Sequence, residues 1–138
     1  VKDRIREHME TSEIKAKLSK EEKADTVEKV SMGAVKYAFL KTGRINDIVF
    51  DMQESVSTSG DSGPYLLYIV ARFKSILGKS TLTGQGNELY IPEVMEPAER
   101  DLIVSLGEFD TALMLSVEKR DPSHIAQYLF ELSQAANQ

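Results

Sequence analysis

The chain has 138 residues, enough for one domain or one and a half, and it is 41% hydrophobic and 28% charged. It has no cysteine and no tryptophan, which excludes a disulfide framework, thiolate metal sites and a cysteine nucleophile. The net charge of −5 is uneven: residues 1–40 and 41–80 each carry +1, and residues 81–138 carry −7, so the last third cannot hold nucleic acid by non-specific attraction.

Residues 1–18 are charged, with Ile5, Met9, Ile14 and Leu18 spaced as a weak helix. In "LSKEEKADTVEKVSMGAVKYAFL", Ser19 and Glu22 form a capping box, and Val27, Val30, Ala34, Tyr37 and Ala38 mark one helical face. "KTG" closes this helix, with Gly43 offering a left-handed cap. "INDIVFD" at 45–51 reads as a short strand or extended segment, and "MQESVSTSGDSG" as a polar turn region. A helix follows with Pro64 in its first turn, where a missing N–H costs nothing. Residues 78–95 are rich in Gly, Ser and Thr and read as a loop. Three further helices begin at Pro97, Glu108 and Asp121, the last with apolar Ile125, Tyr128, Leu129, Leu132 and Ala136. The fold class is mainly α, a helical bundle with at most one or two short extended segments near 45–51.

The helix after Gly63 has two faces. At ~100° per residue, Leu66, Ile69, Phe73 and Ile76 form a core stripe. Tyr65, Tyr68, Arg72 and Ser75 form a neighbouring stripe of aromatic and hydrogen-bonding groups, with Tyr68 and Arg72 four apart and able to touch. Such a stripe is either an ordinary half-buried boundary or a surface on which unpaired RNA bases stack. Position alone leaves both readings open.

Catalytic chemistry finds little support. "GDSGPY" lacks the Lys of a phosphate-binding loop, and its Asp61 would repel phosphate. "GKS" at 78–80 has no strand before it and Phe73 where the first glycine belongs. There is no Gly-x-Ser-x-Gly elbow. His8 and His124 stand alone, with nothing at metal spacing, and His124 reads as an exposed helix-start residue. No catalytic, cofactor-binding or metal residue is assigned.

Gly33-Ala34-Val35-Lys36-Tyr37, Asp47-Ile48-Val49-Phe50-Asp51, Gly60 through Leu77, and the late set Pro122, Ile125, Tyr128-Leu129 and Leu132 follow one another in a fixed order. In these the chain resembles class I arginyl-tRNA synthetases. Leu67 stands where that family commonly has Gln, Ile69 where it has Ala, Ser133 where it often has Ala and Ala136 where many members have Phe. The resemblance implies that residues 1–60 are the tail of the catalytic and stem-contact region. It implies that residues 61–138 are a DALR-type anticodon-binding helical domain, incomplete at its C-terminus. The implied partner is arginine tRNA, held at its anticodon loop by Tyr65, Tyr68, Arg72, Ser75, Gln53 and Ser62. Full-length members ligate arginine to tRNA with ATP and Mg, using a His-x-Gly-His signature and a Lys-Met-Ser-Lys-Ser-like loop. Neither occurs here, so this chain is expected to bind no cofactor and to lack catalysis. The chain reads as a piece of a longer cytoplasmic protein with no membrane contact, and its unfinished last helix predicts a fragment dimer or fraying there. A helical protein-interaction module with an acidic docking surface is the alternative.

Overall fold

A computed structural model describes residues 1–11, 18–79 and 94–138. The helices are α1 (Lys2–Thr11), α2 (Lys20–Leu40), α3 (Met52–Ser55), α4 (Gly63–Lys79), α5 (Pro97–Gly107), α6 (Phe109–Lys119) and α7 (Ser123–Ala136). No strand occurs among the described residues. Residues 47–51 are non-helical and have no strand partner among the described residues, although the Phe50 ring stacks on Phe39 of α2. They lead into Asp51, whose extended backbone and carboxylate cap α3 through the Glu54 N–H at 2.8 Å. Of the two forms expected at 45–51, a short strand or an extended segment, the extended connector is the one present, and the polar turn region begins with one turn of helix. The rest of the first expected helix and most of the 78–95 loop lie outside the described residues, although α4 itself runs on to Lys79.

The helix starts follow from local chemistry. Ser19 accepts from the Glu22 N–H (3.2 Å), and Glu22 accepts from the Ser19 N–H (2.8 Å), the capping box read from sequence. Glu99 accepts from the Glu96 N–H in the same way at the start of α5 (3.0 Å). Gly43 does not form a left-handed cap: α2 ends at Lys41 in right-handed geometry, and Gly60 is the described glycine with positive φ. Gly43 is small for another reason. A Cβ there would sit 3.1 Å from Asn46 Nδ2 and 3.4 Å from Asp121 Oδ2, so its lack of a side chain admits the α6–α7 junction.

α2 is the spine. Its N-terminal half packs on α1, and Ile5 of α1, Val27 and Ala34 of α2 and Val56 just after α3 form a buried cluster. Its C-terminal half packs on α4. This second contact is close enough to dictate composition: a Cβ on Gly63 would lie 2.6 Å from the Gly33 carbonyl oxygen and 3.1 Å from Ala34 Cα. α5 and α6 both pack on α7, with Phe109 against Tyr128 at a centroid distance of 5.9 Å. α7 also meets α4, through an edge-on contact of Phe130 with Tyr65 at 6.0 Å.

The expected core stripe of α4 is only partly a core. Ile69 is buried and Leu66 and Phe73 are half-buried, but Ile76 is 52% exposed. Leu66, Phe73, Leu102, Leu106, Leu129 and Leu132 instead line an open apolar groove of about 480 Å³ between α4, α5 and α7.

Candidate nucleic-acid interface

The start of α4 is fixed by a small polar network. Gly60 turns the chain at φ 80°, a conformation that suits glycine. Ser62 then sits almost fully buried; its hydroxyl donates to the Ser57 carbonyl (2.5 Å) and accepts from the Tyr65 N–H (3.1 Å). Asp61 is held from two sides. Tyr37, on α2, donates its hydroxyl to Asp61 Oδ1 at 2.5 Å, with the Ala126 carbonyl of α7 also in reach at 3.1 Å. Lys41 donates to the Asp61 carbonyl (2.8 Å) and to Glu54 of α3 (2.6 Å). α2, α3, α7 and the α4 approach are thus tied at one point.

Burial first, then the hydrogen bond to Asp61 and its charge, raises the Tyr37 phenol well above the ordinary tyrosine range. A raised folded-state value means that the neutral phenol stabilises the fold below the unfolded value of about 10, and that this contribution is lost as pH rises past it. Tyr37→Phe should cost about 1–3 kcal/mol at neutral pH, because it removes the hydroxyl that ties α2 to Asp61. In chemical denaturation, the gap between wild type and Tyr37→Phe should narrow above about pH 10. A gap that stays constant from pH 8 to 11 would contradict this role.

The opposite junction is tied by Asp121. Its carboxylate accepts from the Ser123 N–H (3.0 Å) and the Arg44 N–H (3.2 Å). Hydrogen bonds from Ser123 hold its carboxyl below the usual range.

The six residues expected to meet RNA separate into two groups. Tyr65 is buried, with its ring against Phe130, and cannot offer a face to a base. Ser62 is buried as the helix cap just described. Both are structural, and the reason is the depth to which the start of α4 is sunk against α2 and α7. Tyr68 (47% exposed), Arg72 and Ser75 lie on the open side of α4, and Gln53 is exposed on α3. Arg72, one turn after Tyr68 in sequence, donates to Asn137 Oδ1 beyond the end of α7, which restrains its guanidinium. α4 carries Arg72, Lys74 and Lys79 and no acidic residue, so this helix is locally basic within an acidic chain. An exposed tyrosine ring and a restrained guanidinium one turn apart on a basic helix can stack unpaired bases and pair with phosphate.

Sequence reading missed the polar row Gln127, Glu131 and Gln134 on α7. Its i, i+4, i+7 spacing in a largely apolar helix was the available signal. Among the described residues no group of three or more His, Asp or Glu could hold a metal ion, and no helix is long and apolar enough to cross a membrane.

The described residues thus form a helical bundle with an exposed aromatic and basic face, and the comparisons with known proteins give its family. The family profile described as "DALR anticodon binding domain" matches residues 66–138, more than half of the chain. The chain belongs to the DALR anticodon-binding domain family. It is 38% identical over 116 residues to an arginine–tRNA ligase of Clostridium botulinum, covering 83% of this chain and 20% of that protein. It is 33% identical over 127 residues to an arginine–tRNA ligase of Hyphomonas neptunium, covering 92% of this chain and 21% of that one. The solved arginyl-tRNA synthetase of Thermus thermophilus superposes with a TM-score of 0.80 at 33% identity, covering 99% of this chain and 22% of that chain. The chain therefore spans about a fifth of the length of the curated relatives it matches.

Proposed function

We propose that this chain binds the anticodon loop of arginine tRNA, as the tRNA-anchoring part of an arginine–tRNA ligase. The observation that carries the reading is the outward face of α4: Tyr68 exposed, Arg72 tied to Asn137, and Ser75 one turn on. The family of the matched segment and the names of the relatives support it. Under this reading residues 61–138 are the anticodon-binding domain and residues 1–60 a connection toward a catalytic region. ATP and Mg then act elsewhere in the ligase, and this chain holds none of that chemistry.

The test is direct binding. Fluorescence anisotropy with a labelled anticodon stem–loop of arginine tRNA should show saturable binding that exceeds binding of a stem–loop with a scrambled loop sequence. Equal binding of the two loops would sink the reading. Mixed with ATP, arginine and tRNA, the chain should form no arginyl-tRNA; any charging would overturn the placement of catalysis outside it.

The open groove between α4, α5 and α7 favours a second reading, a helical interaction module or a dimer closed over that face. Sedimentation showing self-association, together with absence of RNA binding, would promote it.

A further inference from the structure

We propose that residues 47–51 form an open strand edge that takes, by main-chain pairing, an extended segment of the ligase lying outside this chain and carrying basic and apolar side chains. The inference rests on that part of the reading above which connects residues 1–60 to a catalytic region. The backbone runs from Asp47 to Asp51 without turn or bend. Both of its ends are anchored. The Asn46 N–H donates to the Gly43 carbonyl at 2.8 Å, and the Asp51 carboxylate caps α3. Between them, Phe50 stacks on Phe39 of α2, with centroids 6.0 Å apart and ring planes 19° apart. The segment is thus held in place, yet its polar main chain is unused. No N–H or C=O of residues 47–50 enters a backbone–backbone hydrogen bond among the described residues.

An unpaired row of N–H and C=O groups is a template for another strand. The side chains agree with that use. Ile48, Val49 and Phe50 are β-branched or aromatic, types that fit a pleated, half-buried surface. Here they lack such cover: Ile45 is 88% and Val49 92% exposed, and Phe39, Ile48, Phe50 and Met52 are exposed as well. A docked strand satisfies the main chain and covers these groups in one step. A second copy of this chain fits the edge poorly. Antiparallel self-pairing centred on Val49 sets Asp47 against Asp51 twice, and like charges directly opposite each other destabilise a ladder. The same two carboxylates favour a strand that brings Lys or Arg. The chain spans about a fifth of the length of its curated relatives, so in a ligase of that length the remaining four-fifths can supply the strand.

Hydrogen exchange read by mass spectrometry compares the full-length ligase with the 138-residue chain. The amides of residues 48–50 should exchange about a hundredfold more slowly in the ligase than in the chain. In the ligase, Val49→Pro removes a donor from the ladder and should abolish most of that protection, whereas Val49→Thr keeps the N–H and the β-branching and should retain it. The wild-type comparison decides the matter even if the Val49→Pro ligase does not fold. Fast exchange of these amides in the ligase would overturn the pairing, and stem–loop binding by the chain would still decide the anticodon reading separately. Protection that survives Val49→Pro would also overturn it, since burial alone would then be the cause. Protection in the 138-residue chain that rises with its concentration would assign the edge to a second copy, against the proposal. Protection in the ligase alone, with no stem–loop binding by the chain, would support the pairing and sink the anticodon reading.

Discussion

Gly63→Ala will destabilise the fold by about 2 kcal/mol, within the range of overpacked interiors. The added methyl would stand 2.6 Å from the Gly33 oxygen, 2.9 Å from its carbonyl carbon and 3.1 Å from Ala34 Cα. All three are backbone atoms in the middle of α2, so no rotamer change relieves the contact. The helices must separate, and the buried contacts of Tyr65 and Ile69 loosen with them. Alanine's better helix propensity, up to ~1 kcal/mol, offsets only part of this. A loss of that size lowers Tm by roughly 5–10 °C in a chain of this length. Gly78→Ala is the matched control on the same helix, because a Cβ there meets nothing within 4 Å. Differential scanning fluorimetry should show a clear drop for Gly63→Ala and none for Gly78→Ala. Equal melting of the two variants would mean that the α2–α4 crossing is not the constraint described.

The second large effect concerns RNA. Removing one stacking ring costs ~1–3 kcal/mol, so Tyr68→Ala should weaken binding of the anticodon stem–loop about 5- to 150-fold. Tyr68→Phe keeps the ring and should bind nearly as wild type. Arg72→Lys separates shape from charge: the ammonium retains the charge but loses the planar fork that Asn137 holds. It should fall much closer to Arg72→Ala than to wild type. Titrations must share one salt concentration, because phosphate contacts make affinity steeply salt-dependent. In a full-length ligase carrying this domain, Arg72→Ala should raise KM for tRNA and leave arginine activation unchanged. A Tyr68→Ala affinity within twofold of wild type would remove the stacking role, and loss of amino-acid activation with Arg72→Ala would point to a structural role instead.

Much of the bundle was legible from spacing and caps. The Ser19–Glu22 box and the apolar period of α2 lie within a few residues of one another, and local signals of that kind survive in the structure. The faces of α4 were legible as faces but not as environments. Periodicity says which residues share a side; it does not say how far along the helix a neighbour reaches. α2 crosses at the Gly63 end, so Tyr65 is buried although it looked like a surface aromatic. Ile76, read as core, lies 52% exposed. The segment 45–51 had strand composition, but a strand requires a partner, and none stands beside it among the described residues. Ser62 looked like turn polarity and is a buried cap, because its hydroxyl serves groups three and five residues away.

The least legible feature was the Tyr37 hydroxyl, which looked like part of one helical stripe and joins parts of the chain that no local pattern connects. Its two acceptors lie 24 and 89 residues further along. During synthesis, α2 and α4 are complete long before α7 exists. The Arg72 clasp at Asn137 and the Phe130 edge against Tyr65 likewise wait for the last helix. The candidate RNA surface is therefore assembled only when the C-terminal helix docks, so a chain arrested before Ser123 would carry every residue of α4 and still lack the surface that α4 presents.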